Sequence, residues 1–367
     1  MTVVILVAGS GTRFRDDKPK CLVDINGISL IEWTISLIRD VDKEIPIRLV
    51  TGHKSKMIEE YVNKLQIKNL KIIHNIDYQN DQNILSAQSG MRGVESDVLV
   101  LEGDCIFNET TMKKLISSIG ENKNIIFTKD SVEMDKKNAI IKVNKFNKFE
   151  EYMIGKRPKN FSIEFWSNMT GAVLFNKFDI DRVIEWLESS NKDPKNTYYF
   201  EPLVDNKEIF DVDVEKLDDE SDFLSFNTQV EYLQAMKSLG IKTSITLVDV
   251  ESLKHVEDFS LKRVEWLKNK ILEEKIWNKP ICIDSEYGIV MDGQHRMEVA
   301  KLLKIKKIPA ILFSHDEVDF WSLRENHTVD LESIIDKSLT GRIYPYKTVK
   351  YKFPINIPKC SINLEEL

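Results

Sequence analysis

Two glycines and a run of cations share one early loop. The string "LVAGSGTRFRDDKPK", Leu6 to Lys20, places Gly9, Gly11, Arg13, Lys18 and Lys20 behind the apolar run Val3-Val4-Ile5. Glycines let a backbone approach a phosphate closely, successive N–H groups form an anion-binding concavity, and the cations add charge. The chemistry this suits is the holding of a nucleotide's phosphates. The loop is neither GxxxxGK[ST] nor GxGxxG. On the glycines alone, an ordinary turn with surface cations is an equal reading. A second site is "VLVLEGDCIF", a buried run ending in Gly103-Asp104. A carboxylate at a strand end can hold Mg²⁺, which takes oxygen ligands; a turn aspartate capping a helix is the plainer alternative. A third is "GIVMDGQHRMEVAKLL", where Asp292, His295 and Arg296 surround Gly293 at the start of an amphipathic helix. Anions bind favourably there, although a capped turn with a salt bridge would read the same way.

The elements that must position these residues follow from hydrophobic spacing. Strands are predicted at Val3 to Val7, Ile47 to Thr51, Lys71 to His74 and Val98 to Leu101, with helices such as Leu30 to Arg39 and Lys56 to Leu65 between them. Such alternation builds right-handed βαβ units and a mostly parallel sheet, with ligands at the carboxyl ends of its strands. A helix is predicted to stop near Gly240, and a second pattern starts with a strand at Ile245 to Val248. Helices at Leu261 to Glu274 and Arg296 to Leu303 then flank "KPICIDSEYGIVMDG". The 367-residue length suits two or three domains, and 42% hydrophobic residues can build real cores. No run approaches ~18 apolar residues, so no membrane insertion is expected. No basic segment precedes the first apolar run, so no signal peptide is read. The four cysteines form no CxxC pair, which fits a reducing, cytoplasmic setting rather than zinc or disulfides. A net charge of −7 gives no support to nucleic-acid binding.

Taken whole, "LVAGSGTRF…DKPKCLVDINGISLIEW" resembles the signature of sugar-phosphate and alcohol-phosphate nucleotidylyltransferases: a Gly-x-Gly-x-Arg loop, Lys-Pro-Lys, then a short hairpin turning into a helix. The likeness extends to about residue 235. It implies Arg13 on the triphosphate tail and Lys20 near the α-phosphate. It further implies Gly9, Gly11 and Thr12 around the nucleotide, with the backbone of Leu6, Ala8 and Gly9 against the base. Mg²⁺ is the implied cofactor, held by Asp104. The family's second ligand position falls on Asn227 in "FLSFNTQVEYLQA", with Asp211 or Asp213 ranked below it. "YQNDQNILSAQSG" resembles a segment of choline-phosphate and related cytidylyltransferases that reads the pyrimidine and ribose, which points to Asn83, Ser86 and CTP. Plain N-capping by this segment is an alternative, and both can hold. Glu201 in "YYFEPLVDN", with Lys142 and Trp166, falls where that family places its acceptor pocket.

The last third resembles the ParB/sulfiredoxin-like fold and is most similar to free L-serine kinases that use ADP or ATP. The ending "GRIYPYKTVKYKFP" resembles their G-x-x-x-P-P-K-T-T-R-H, with Tyr346 for the second Pro and Val349, Lys350 and Tyr351 for the final T-R-H part. The resemblance implies Glu257 as general base for a substrate hydroxyl; a solvated acidic residue beside Asp258 is its plainer reading. It implies Asp292 orienting substrate or metal, Gly293, His295 and Arg296 at the nucleotide's phosphates, and Lys347 and Thr348 on phosphate or carboxylate.

The expected fold class is therefore α/β. A Rossmann-like nucleotidyltransferase domain with a mostly parallel mixed sheet spans 1–237, and a smaller α+β ParB/sulfiredoxin-like domain spans 241–367. The expected function is bifunctional. One domain phosphorylates a small alcohol, free L-serine first among candidates, from ADP or ATP. The other transfers CMP from CTP to the resulting phosphate. The alternative is a lone CTP- or UTP-dependent nucleotidylyltransferase, acting on another phospho-alcohol, phosphonate or sugar phosphate, with a ParB-like regulatory module. The expected partners are small molecules, with no nucleic acid; a homodimer is allowed and the oligomeric state is left open.

Overall fold

The structure is a computed structural model that describes residues 1–11, 14, 18–118, 122–130, 139–155, 158, 161–217, 223–241 and 243–367. The chain divides into two units between Asn227 and Thr228. This lies upstream of the 237/241 boundary expected from Gly240. The helix Gln229–Ser238 belongs to the second unit, because its Val230 and Leu233 are buried in that unit's core. Apolar spacing marks that a helix buries a face, but not which sheet receives it.

The first unit is built on one mixed sheet. Its main path runs Phe149–Ile154, Ala139–Val143, Trp166–Phe175, Val98–Glu102, Thr2–Val7, Ile47–Thr51, Leu70–His74; Asn124–Lys129 pairs with Trp166–Phe175 and Val212–Lys216. Thr2–Val7 is central because both of its faces are apolar. Val3 and Ile5 join the core with Ile31, Ile35 and Ile38, while Val4 joins the opposite core with Ala87 and Met91. The helix Leu30–Val41 begins where Ser29 caps it, the side chain accepting from Glu32 N–H. Thr2–Val7 pairs in parallel with Ile47–Thr51 and with Val98–Glu102. The carboxyl ends of these strands therefore share one edge. There the chain leaves Val7 at Ala8, and the Gly52 turn and Gly103-Asp104 also emerge.

The second unit has a five-stranded mixed sheet in the order Thr246–Asp249, Lys307–Phe313, Ile281–Asp284, Ile289–Asp292, Lys254–His255. The helices Leu261–Glu274 and Gln294–Leu302 pack against each other. Gly293 makes the strand-to-helix turn at φ +107°, and a Cβ there would lie 2.5 Å from Ile281 Cγ2, so no other residue fits without displacement. Near the C-terminus, Val349–Lys352 pairs with Asp319–Ser322. All four cysteines are buried thiols. Burial pushes Cys21, Cys282 and Cys360 up to about 12, and pushes Cys105 well above its ordinary value with help from the Asp104 charge. No helix among the described residues is long and apolar enough to cross a membrane.

Candidate functional site

At the edge of the first unit, Lys20 is the hub. Its ammonium donates to Asp104 Oδ2 at 2.6 Å and to Asn227 Oδ1 at 3.4 Å. It also sits 4.8 Å from the centroid of the Phe226 ring, which in turn packs on Phe14 at 5.5 Å. Three residues separated by 84 and 207 positions in sequence thus meet at one point. Burial alone would raise the Asp104 carboxyl, but the charge and hydrogen bond of Lys20 outweigh it and hold Asp104 below its usual value. Glu102 moves the other way: burial, then the Asp104 charge, pushes it up to about 8. One carboxylate is thereby kept ionised and its neighbour is biased toward the protonated form.

Asp104 and Asn227 place oxygens on one ammonium, and a Glu102 carboxylate oxygen lies within 4.8 Å of that of Asp104; such an oxygen set suits a hard cation such as Mg²⁺, for which the ammonium is a stand-in. Ligand atoms of Glu102, Asp104 and Cys105 lie within 4.8 Å of one another. The raised thiol of Cys105 keeps its proton, so Asp104 and Asn227 are the residues that would hold such an ion, and Glu102 would join them once the cation's charge draws off its proton.

The backbone beneath the hub is tightly fixed. Gly103 N–H donates to Leu6 O at 2.9 Å, and His53 N–H donates to Ala8 O at 3.0 Å. These carbonyls bind neighbouring loops, so what Leu6 and Ala8 supply here is the anchored start of the glycine loop. Gly11 takes φ +55°, and its own Cβ position lies 3.7 Å from Lys20 Cβ, while Gly9 borders open space. Thr12 and Arg13 lie outside the described residues. Gly103 has no room for a side chain: a Cβ would lie 2.3 Å from Val7 Cγ1 and 2.7 Å from Leu6 O. Gly103→Ala is expected to cost about 1–3 kcal/mol, read as a lower urea midpoint of the first unit. An unchanged midpoint would show that the strand end yields freely.

Several other expected site residues are placed differently from their sequence reading. Asn83 is held by two partners, its amide donating to Glu102 Oε1 at 3.3 Å and its oxygen accepting from Tyr199 N–H at 2.9 Å. It therefore reaches the carboxylate cluster and does not cap its helix. Asp81 does the capping, accepting from Leu85 and Ser86 N–H. Ser86 is buried and gives its hydroxyl to Asp81 at 2.7 Å, so it stabilises the helix start instead of facing a base. Glu201 is buried too, bonded to Lys192 at 2.6 Å and to Tyr198 N–H at 2.8 Å. Lys142 and Trp166 are register partners on adjacent strands, and Lys142 is paired with Glu150. Asp211 and Asp213 pair with Lys148, and Asp213 also with Lys123, apart from the Lys20 cluster. Sequence reasoning missed Glu102, Phe226 and Phe14. The only signal for Glu102 was an acid closing the aliphatic run of "VLVLEGD".

The second unit has a cavity of about 880 Å³ walled by Glu257, Arg263, Trp266, His295, Arg296, Lys347 and their neighbours. Glu257 Oε2 accepts from Thr348 N–H at 2.7 Å and Val349 N–H at 2.9 Å, which fixes the carboxylate in the wall. Lys347 takes φ +59° at this turn. Thr348 is fully buried and donates its hydroxyl to Pro345 O, so it contributes a backbone N–H and not the phosphate-holding hydroxyl expected of it. Asp292 pairs with Lys279 at 3.2 Å. His295 Nε2 accepts from Ser260 N–H at 3.2 Å. Burial, then the Arg263 and Arg296 charges, lowers the His295 pKa, so the ring is neutral with its proton on Nδ1. Positive charge at this end comes from the arginines and lysines. The arrangement can bind an anion beside a fixed carboxylate.

Comparisons with known proteins bear chiefly on the first unit. Residues 3–164 match the MobA-like NTP transferase domain. The bifunctional protein GlmU of Acetivibrio thermocellus is 25% identical over 278 residues, covering 71% of this chain and 58% of that protein. The chain spans about half the length of the curated relatives it matches. Among solved structures, the CTP:phosphocholine cytidylyltransferase from Streptococcus pneumoniae aligns with a TM-score of 0.53 at 19% identity, over 65% of this chain and 98% of that one. The inositol-1-phosphate CTP transferase from T. maritima aligns at 0.50 and 17%, over 66% and 98%. These structural likenesses are of fold.

Proposed function

We propose that the first unit transfers CMP from CTP to a small phosphate monoester, and that the second unit makes that monoester by phosphorylating an alcohol, free L-serine first among candidates. The observation that carries the first half is the convergence of Lys20, Asp104 and Asn227 at the end of the glycine loop, within a MobA-like NTP transferase domain. An oxygen of the acceptor phosphate attacks the α-phosphorus of CTP, the bond to the bridging β-phosphate oxygen breaks, and pyrophosphate leaves. The acceptor is already ionised, so no general base is needed. Catalysis then lies in positioning and in neutralising negative charge. Lys20 supplies charge at the α-phosphate, and Gly9 and Gly11 let backbone N–H groups approach the tail. Asp104, Asn227 and Glu102 would hold Mg²⁺, which when bound neutralises phosphate charge. CTP is chosen on the likeness of the Asn83 segment to cytidylyltransferases.

For the second unit, the reading draws on its ParB/sulfiredoxin-like resemblance and on Glu257 standing in the wall of a cationic cavity. The serine Oγ attacks the terminal phosphorus of the nucleotide, its proton passes to the Glu257 carboxylate, and the shortened nucleotide leaves. Arg296 and Lys347 hold the anionic groups, and neutral His295 donates one N–H. The two activities have a chemical logic in one chain, since the product of one is the acceptor of the other and their linkage raises its local concentration. The test is to incubate the protein with CTP, Mg²⁺, ADP or ATP and a panel of small alcohols and amino acids, then analyse products by mass spectrometry. A CDP-linked product dependent on both nucleotides is expected. Failure to make any CMP-linked product from a panel of phosphorylated alcohols would overturn the first half.

A further inference from the structure

Trp266 is an aromatic side chain that the core does not use. It is 59% exposed, whereas Trp277 of the same unit is fully buried. It does not belong to an apolar face of its helix. Leu261 and Leu272, also exposed, fall within about 20° of each other on the helical wheel, while Trp266 lies about 120–140° away from them. It lies instead toward the side that carries Arg263 and Lys270, and all three wall the cavity. The Lys270 ammonium sits 5.5 Å from its ring centroid. Arg263 is one turn earlier, and residues three apart on a helix are neighbours.

That first turn is tied to the anion-binding end. Ser260, which caps the helix by accepting from Arg263 N–H, donates its own N–H to His295 Nε2 at 3.2 Å. The His295 ring and the Arg296 side chain stand at the start of the helix Gln294–Leu302, behind the Gly293 turn. The cavity thus combines a cluster of cations with an open indole about one helical turn further along the wall. A bare phosphate or an amino acid would use only the cations. A ligand with an anionic tail and a flat aromatic group would use both.

We infer that Trp266 is the stacking platform for the base of a nucleoside di- or triphosphate whose phosphates lie among Arg263, His295 and Arg296. The inference rests on the proposed kinase reading of this cavity and assigns its nucleotide end to the Leu261–Glu274 helix. Stacking on an aromatic face tolerates any base and is sizeable, so the nucleoside should add about ten- to a hundredfold to the affinity of the bare polyphosphate.

The test is calorimetric titration of the full chain with ADP and ATP, each beside pyrophosphate and tripolyphosphate. The wild type should prefer the nucleotides. Trp266→Ala should erase the preference while leaving pyrophosphate affinity within about twofold, and Trp266→Phe should restore most of it. The double variant Arg263→Ala/Arg296→Ala should lose the second unit's share of the binding of both kinds of ligand, leaving only what the first unit's phosphate site takes up. If Trp266→Ala keeps the full preference while the double variant loses ADP, the platform is overturned and the kinase reading stands. If neither variant alters ADP affinity, the nucleotide is not in this cavity and both fall. Thermal melting of each variant separates lost binding from lost folding.

Discussion

Asp104→Asn should lower CMP transfer from CTP by about 10²–10³-fold or more and leave serine phosphorylation unchanged. Asparagine keeps the size of the side chain and an oxygen toward Lys20, so the hub should still assemble. What disappears is the charge at the centre of the oxygen cluster. In the wild type the 2.6 Å contact with Lys20 holds that carboxyl ionised against the cost of burial. The variant should need more Mg²⁺ for the activity that remains, and its pyrophosphate release can be followed by a coupled assay. Pairing the assay with a urea melt guards against a folding defect, since Lys20 is only 11% exposed and would be left with weaker partners. A rate within a few-fold of wild type would remove Asp104 from the mechanism.

Glu257→Gln should stop formation of the CDP-linked product from free L-serine, but not from supplied O-phospho-L-serine. Glutamine can still accept from the Thr348 and Val349 N–H groups through its amide oxygen, so the turn should survive. It cannot take a proton from the substrate hydroxyl, and general-base help of this kind is worth about 10²–10⁴-fold. The cytidylyl step uses an ionised acceptor and a separate set of groups, so it should be indifferent. Equal failure of both routes would make Glu257 structural. A wild-type protein that makes no phosphoserine from any nucleotide would overturn the kinase reading itself.

The glycine loop and the Gly103-Asp104 strand end could be found in the sequence, because each is a short string with its own chemistry, whereas Asn227 came only from the family resemblance. Their meeting at Lys20 could be expected only through the family resemblance; spacing alone says nothing about residues 207 positions apart. What sequence could not show is which polar groups are already occupied. Ser86 looks available until Asp81 folds back onto it, and Glu201 until Lys192 closes over it. Thr348 likewise gives its hydroxyl to a carbonyl three residues away. The helix Gln229–Ser238 shows the same limit for packing, since its apolar face is visible in the string but its destination is set by residues such as Val250 and Val264, which lie beyond the helix.

The cysteines, placed two in each unit, turn folding into something that can be timed. Cys21 and Cys105 belong to the first unit, Cys282 and Cys360 to the second, and all are buried with thiols held protonated. Only the thiolate reacts with an alkylating reagent, so each sulfur is silent until its surroundings open. Pulse labelling followed by peptide mass spectrometry would therefore read two independent clocks from one sample. If the units open separately, Cys21 and Cys105 should gain label at one rate and Cys282 and Cys360 at another. A ligand for one unit should then slow only that unit's pair, which makes binding measurable without any turnover.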